Sequence, residues 1–290
     1  VKNILVLLAD PARPTLDDGT VQASIEILRG TGAAVGAPDW LAPGIACDIP
    51  FDGEPIEMGM TGLDAVTVPA ANRRKKLLVA DMESTVIENE MLDELADFLG
   101  LREKIAGITA RAMNGEIDFE AALEARVALL KDLPVSTLDE AARRIEYMPG
   151  GATLVATMKE HGGYCALVSG GFTCFTKIVR EKLGFDFDAA NTLTVAGAAL
   201  AGTVGMPILG KEAKLATLHR LCAERGLGLA DAVTVGDGAN DLPMLKAAGL
   251  GVAFRAKPVV AAQVPARIRN GDLTALLYLQ GYRRSDFIER

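Results

Sequence analysis

Three short stretches of this chain place acids or a hydroxyl directly after an apolar run. Leu77-Leu78-Val79-Ala80 runs into Asp81-Met82-Glu83-Ser84-Thr85, Tyr164 to Val168 runs into Ser169-Gly170-Gly171, and Ala232 to Val235 runs into Gly236-Asp237-Gly238-Ala239-Asn240-Asp241. Lys214 stands between the last two, near the start of a helical segment, with Lys211 a nearby competitor for the same role. A carboxylate at a strand end can attack phosphorus and carry the phosphoryl group as an aspartyl phosphate. Asp81 and Asp237 offer the hard oxygens that Mg²⁺ takes, few in number and with waters retained. Ser169 and the Gly170 amide can donate to phosphate oxygens at a helix start, where the dipole favours an anion. Lys214 adds a fixed positive charge, which together with Mg²⁺ neutralises phosphoryl oxygens in a transition state. Taken singly, Ser169 is a turn residue, Lys214 a solvated helix lysine, and Asp237 with Asp241 a turn closed by an Asx contact. Only the combination points to phosphoryl chemistry.

For these residues to meet, the apolar runs must be neighbouring buried parallel strands, because ligands of open α/β sheets sit at the carboxyl ends of strands. The chain supports this. From Tyr164 onward, strand and helix alternate through Phe172–Leu183, Lys211–Glu224, Ala232–Val235, Leu242–Ala248 and Gly251–Phe254, with an extended hairpin over Thr192–Ala201. That is the α/β pattern of a mostly parallel sheet with right-handed crossovers. After Thr85 come four segments of helical periodicity and no convincing strand, where a plain crossover needs one helix. We read them as an inserted helical cap over about residues 88–148. Residues 1–72 form a separate small α+β module: a strand over Lys2–Ala9, a helix over Thr15–Leu28, then short extended pieces over Asp39–Phe51 and Gly62–Pro69. The basic run Asn72-Arg73-Arg74-Lys75-Lys76 reads as a solvated linker into residues 73–290, in preference to a nucleic-acid patch.

Bulk properties narrow the partners. Net charge is −8 and aromatics are 5% of the chain, which argues against a basic or base-stacking nucleic-acid surface. Cys47, Cys165, Cys174 and Cys222 form no CxxC pair and there are two histidines, so a zinc site is not expected. No apolar run has the length of a membrane span, and Val1–Asp10 is too short for a signal sequence. The expectation is a cytoplasmic protein with no nucleic-acid or membrane partner. Gly205 to Glu212 nearly matches a nucleotide P-loop but lacks its Mg²⁺-binding hydroxyl and carries Pro207.

In this order, the four elements resemble the haloacid-dehalogenase-type phosphatases, over roughly Lys75–Leu279, with Gly-Asp-Gly-Ala-Asn-Asp-Leu-Pro-Met (Gly236–Met244) the most specific motif. Within them, the resemblance is to the phosphoserine phosphatase branch. It implies a Rossmann-like parallel core with Asp81 as nucleophile and Glu83 as general acid/base. Mg²⁺ would be held by Asp81, Asp237 and the Glu83 backbone carbonyl, with Asp241 behind them. Ser169, Gly170 and Lys214 would hold phosphate, and Asn240 would touch substrate. In the cap, Glu90 would meet the substrate ammonium, Arg126 its carboxylate, and Met113 and Phe119 would line the lid. The implied reaction is Mg²⁺-dependent hydrolysis of O-phospho-L-serine, the last step of serine synthesis. The rivals are another small phosphate ester, phosphate transfer to a second alcohol, and an amino-acid-binding regulator. One departure stands out: the family carries Asp where this chain has Glu83. The added methylene moves the carboxyl by ~1 Å, a displacement that can cost about a hundredfold in rate. Residues 1–72 resemble a small regulatory ACT-like domain, with one clear helix where that fold has two, and suggest a homodimer.

Overall fold

The structure is a computed structural model. It describes residues 1–113 and 116–289, with the backbone alone for Ala110, Ala112, Met113 and Lys211. Two sheets organise the chain. The first is built from β1 (Asn3–Leu8), β2 (Ala34–Val35), β3 (Asp39–Ala42), β4 (Ala46–Asp52) and β5 (Asp64–Pro69), with α1 (Asp18–Gly30) after β1. Its order is β2-β4-β1-β5, β3 also pairs with β4, and every pairing is antiparallel. Asp17 caps α1 by accepting from the Thr20 N–H at 2.7 Å. The period of two in β1 serves both faces. Leu5 and Leu7 join Val21, Ile25 and Leu28 of α1 in one core, whereas Ile4, Val6 and Leu8 join the main core of the molecule. The module keeps the single helix read from its sequence.

The second sheet starts with β6 (Leu77–Ala80). The cap follows as α2 (Met91–Asp97), α3 (Arg102–Met113), α4 (Phe119–Ala128) and α5 (Ser136–Ala142). Then come α6 (Gly151–Glu160), β7 (Tyr164–Phe172), α7 (Thr173–Leu183), β8 (Phe187–Asn191), β9 (Leu193–Ala196), β10 (Ala199–Val204) and α8 (Lys211–Glu224). The chain ends through β11 (Ala232–Gly236), α9 (Leu242–Ala247), β12 (Leu250–Phe254), α10 (Pro258–Ala261), β13 (Ala266–Ile268) and α11 (Ala275–Leu279). The sheet order is β13-β12-β11-β6-β7-β8, parallel throughout. Every residue of β6 and β11 is buried, which is why both read as continuous apolar runs. Register decides the rest. Ala80 pairs with Val235 on one side and Leu167 on the other, so Asp81 leaves the sheet one residue short of the level of Asp237 and Ser169.

Periodicity did not mark β8 and β13, two edge strands. The β9–β10 hairpin, which was expected, has an unexpected job: the Leu200 N–H donates to the Leu133 carbonyl at 2.8 Å and the Val135 N–H to the Ala198 carbonyl at 2.9 Å, which ties the cap's last stretch to the core.

The basic run 72–76 is not a solvated linker. Arg73 forks onto the Asp48 carboxylate of β4 at 2.5 and 3.1 Å and also donates to the Tyr278 and Leu279 carbonyls. Lys75 is buried, with its ammonium on the Asn72 and Ala230 carbonyls. The buried acceptors lie far off in sequence, so composition could not reveal them. A second brace is Asp64, whose carboxylate accepts from the N–H groups of Arg269, Asn270 and Gly271, each at 3.0 Å. Among the described residues no helix is long and apolar enough to cross a membrane.

Candidate active site

Asp81 leaves β6 with its N–H still donating to Val235 O at 3.0 Å, so its backbone is an extension of the sheet. One carboxylate oxygen, Oδ1, accepts from the Met82 N–H at 2.8 Å and from the Lys214 ammonium at 2.6 Å. Lys214 reaches down from the first turn of α8 and donates equally to Asp241 Oδ1 at 2.6 Å. Asp241 is held from its other side by the Gly238 N–H at 2.9 Å. A Cβ at Gly236 would come within 2.4 Å of the Asp241 carboxyl carbon, so only glycine lets the turn after β11 close over this acid.

Carboxylate oxygens of Asp81, Asp237 and Asp241 all lie within 4.8 Å of one another. Burial, then the Asp241 charge, drives the Asp81 carboxyl well above the usual carboxylate range, against the pull of Lys214. Asp237 is pushed up to about 6, mainly by burial, with Lys257 opposing from 3.6 Å. Burial works against the Lys214 charge, but Asp81 and Asp241 outweigh it and hold the ammonium above its ordinary range. Three carboxylates here face one buried ammonium, Lys214, and one exposed ammonium, Lys257, so acid outnumbers base at this wall. All-oxygen donors with that surplus fit a hard divalent cation such as Mg²⁺.

A cavity of about 130 Å³ opens over this floor. Of the residues singled out from sequence, Asp81, Glu83, Glu90, Phe119, Arg126, Gly170, Asp237 and Asn240 line it. Ser169, Lys214 and Asp241 are buried behind its wall. The Ser169 Oγ accepts from the Gly171 N–H at 2.9 Å, which leaves its own proton to give. A Cβ at Gly170 would lie 3.5 Å from the Phe119 ring and 4.0 Å from Asn240 Nδ2, so cap and floor meet over this glycine. The Met113 side chain lies outside the described residues, as does that of Lys211.

Glu83 sits at the junction of core and cap. Its Oε1 accepts from the Met91 N–H at 2.9 Å, at the start of α2. Its carboxylate sits against Gly171, where a Cβ would lie 2.8 and 2.9 Å from the two oxygens and would displace it. Burial, then the Glu90 charge, pushes its carboxyl up to about 8, with the Met91 N–H, Lys214 and Arg126 opposing. On the cap face, Glu90 accepts from the Ser84 hydroxyl at 2.8 Å. Arg126 spends its Nε on the Ala122 carbonyl at 3.1 Å and its Nη1 on the Thr109 hydroxyl at 3.4 Å. Burial weakens its hold on the proton, and the charges of Glu83, Asp93 and Glu90 oppose this without cancelling it. Among the described residues no carboxylate lies within ion-pair distance of Arg126.

Sequence reasoning missed Lys257 in this wall and named Gly171 only as part of the loop after Tyr164–Val168. Lys257 lies three residues past the end of β12, whereas Asp237 directly follows β11, and both stand at the carboxyl end of the sheet.

Residues 78–246 match the model of the haloacid dehalogenase-like hydrolases. The phosphoserine phosphatase of Streptomyces coelicolor is 42% identical over 232 residues, a match covering 79% of this chain and 57% of that protein. The chain thus spans little more than half the length of that relative. A phosphoserine phosphatase solved with a phospho-aspartyl intermediate analogue is 40% identical, covering 71% of this chain and 98% of the other, with a TM-score of 0.66. A haloacid dehalogenase family hydrolase from Salmonella enterica serovar Typhi is 28% identical and superposes with a TM-score of 0.83, over 96% of this chain and 97% of its own. An acid after the first core strand, a lysine bridging it to the acids after β11, and a helical cap above are thus joined by a family match over more than half of the chain, and the chain belongs to the haloacid dehalogenase-like hydrolases.

Proposed function

We propose that this chain is a Mg²⁺-dependent phosphomonoesterase whose substrate is O-phospho-L-serine. The observation that carries the reading is the disposition of Asp81 beneath Arg126. One oxygen of Asp81 is tied by Lys214 and the Met82 N–H. The other, Oδ2, accepts no hydrogen bond among the described residues, and Asp81 lines the cavity. Two relatives called phosphoserine phosphatase, at 40 and 42% identity, support the substrate.

Mg²⁺ would be held by Asp81, Asp237 and the Glu83 backbone carbonyl, and when bound it offsets charge on the phosphoryl oxygens. The chain's residues do the rest. Arg126 takes the substrate carboxylate, for which a guanidinium fork is suited, and Glu90 takes the ammonium. Ser169 and the Gly170 amide donate to phosphate oxygens. Asp81, which a bound cation would keep a carboxylate by offsetting the burial and the Asp241 charge that raise its pKa, attacks phosphorus through Oδ2. As the new O–P bond forms, the bond to the serine oxygen breaks, and Glu83 passes its proton to that oxygen. A carboxyl raised to about 8 holds that proton at neutral pH. Glu83, now a carboxylate, then takes a proton from water as the water oxygen attacks the aspartyl phosphate. Phosphate leaves, and Asp81 and Glu83 are restored.

A phosphate-release screen with and without EDTA tests this. O-phosphoserine should be turned over faster than phosphoethanolamine, which lacks the carboxylate, and phosphoglycolate, which lacks the ammonium; EDTA should abolish release. Equal rates on all three would return the choice to a general small-ester phosphatase. Serine binding without phosphate release would favour an amino-acid-binding regulator. A homodimer through residues 1–72 would have to use a sheet edge or the outer side of α1, because both faces of β1 are covered within the chain; light scattering on the eluted peak decides it.

A further inference from the structure

A second cavity, of about 390 Å³, lies between the edge strands of the two sheets. β5 makes one wall, β13 and the loop after it the other, and residues 55–60 close the side. It is larger than the catalytic cavity and falls within the roughly 300–1,000 Å³ typical of small-molecule sites. Its lining is of two kinds. Ile56, Met58, Met60 and Leu63 offer an apolar wall, and methionines adapt readily to a ligand's shape. Arg267 and Arg269 offer positive charge. The acids nearby do not use up that charge. Asp64 already accepts four hydrogen bonds, three from backbone N–H groups and one from the Asn270 side chain. Glu57 pairs with Arg267 at 2.6 Å but is 74% exposed against 23% for the arginine, so solvent screens the pair. Among the described residues Arg269 has no ion-pair partner.

We infer that this seam is a second binding site, for a small organic anion: a carboxylate set against Arg267 and Arg269, with an apolar body laid on Met58 and Met60. Nothing in the phosphatase chemistry uses these residues. The site also has a path to the catalytic rim. The loop 269–271 is gripped by Asp64. The Arg255 N–H donates to Ile268 O at 2.7 Å and its guanidinium to Gly271 O at 3.4 Å. Two residues on, the Lys257 N–H donates to the Asp237 carbonyl at 3.0 Å. Occupancy that shifts β13 therefore bears on the loop carrying Lys257 and on Asp237, with reciprocal coupling between the two sites.

The probe is 3-phenylpropionate, titrated into the full chain and followed by NMR chemical-shift changes, with 3-phenylpropan-1-ol as its uncharged counterpart. A ligand of this size should bind with a Kd of about millimolar or tighter. The shifts should centre on β5, β13 and residues 55–60, and the alcohol should bind at least tenfold more weakly. The double variant Arg267→Met/Arg269→Met should lose at least tenfold in affinity. Arg269→Glu, a change at an exposed position that the fold should tolerate, should abolish binding. No saturable binding by the parent chain, or equal binding by the acid, the alcohol and a folded Arg269→Glu variant, overturns the site. With the seam saturated, phosphate release from O-phosphoserine should change at least twofold; an unaltered rate overturns the coupling. Binding is read directly, so the outcome at the seam holds whatever the true substrate of the catalytic cavity proves to be.

Discussion

The floor and the roof of the catalytic cavity are built on different terms. On the floor, three charged groups are locked together: Lys214 bridges Asp81 and Asp241 at 2.6 Å apiece, and backbone N–H groups hold both acids from behind. On the roof, among the described residues, Glu90 has a single side-chain bond, to Ser84, and Arg126 binds only neutral oxygens, at Ala122 and Thr109. The floor pairs Lys214 with two of its acids and still holds more acid than base, the surplus a cation would meet. The roof's charges are left for a ligand to neutralise. On the proposed reading, reaction geometry resides on buried strand ends and substrate choice on a helical insert, where among the described residues Arg126 has no carboxylate within ion-pair distance. The contrast predicts that floor substitutions act on turnover and roof substitutions on substrate affinity.

The largest effect should come from Asp81→Asn. Loss of a nucleophile on this scale costs on the order of 10⁴-fold or more in kcat, read by phosphate release, while substrate binding by calorimetry persists. Retained turnover would remove Asp81 from the chemistry. Next comes Gly171→Ala. Its methyl group would sit 2.8 Å from the Glu83 carboxylate and must move it. A shift of that order costs about a hundredfold in kcat, and adding Glu83→Asp should restore much of it, since the shorter side chain vacates the contested space. If the double variant is no better than Gly171→Ala, steric placement of Glu83 is not what the glycine provides. On the roof, Arg126→Ala should raise KM for O-phosphoserine roughly 10–100-fold, the worth of a charge-assisted hydrogen bond, with a smaller change in kcat. Phosphoethanolamine should be indifferent to it, and equal losses on both substrates would mean that Arg126 shapes the cap instead of reading a carboxylate. The smallest effect belongs to Glu83→Asp alone. It surrenders the bond to the Met91 N–H but keeps a carboxyl at the junction, and kcat should stay within about tenfold of the parent.

The floor was legible in the sequence because each of its residues follows an apolar run, and a buried parallel strand announces itself by composition. Register then did what sequence could not, setting Asp81 one level below Asp237 and Ser169. The choice between Lys211 and Lys214 needed side-chain direction, and the ammonium at 2.6 Å from Asp81 belongs to Lys214. The cap was legible as four helical stretches of periodic apolar residues, but its tie to the β9–β10 hairpin rests on backbone bonds that leave no compositional trace. Glu83 looked like a misfit from spacing alone. The structure gives it room, because the residue across from it, 88 positions later, is Gly171. The run Asn72–Lys76 was misread for the opposite reason. Polar residues between two modules resemble a solvated tether, yet Arg73 and Lys75 serve buried acceptors contributed by β4, by the segment before β11 and by α11.

The most direct test of the central claim is to quench the working enzyme on O-phosphoserine with Mg²⁺, treat it with hydroxylamine, and map the modified peptide by mass spectrometry. Transfer through an aspartyl phosphate requires a hydroxamate at Asp81 that is absent with EDTA and absent in Asp81→Asn. Steady phosphate release with no adduct at Asp81, or with the adduct on another carboxylate, would contradict it.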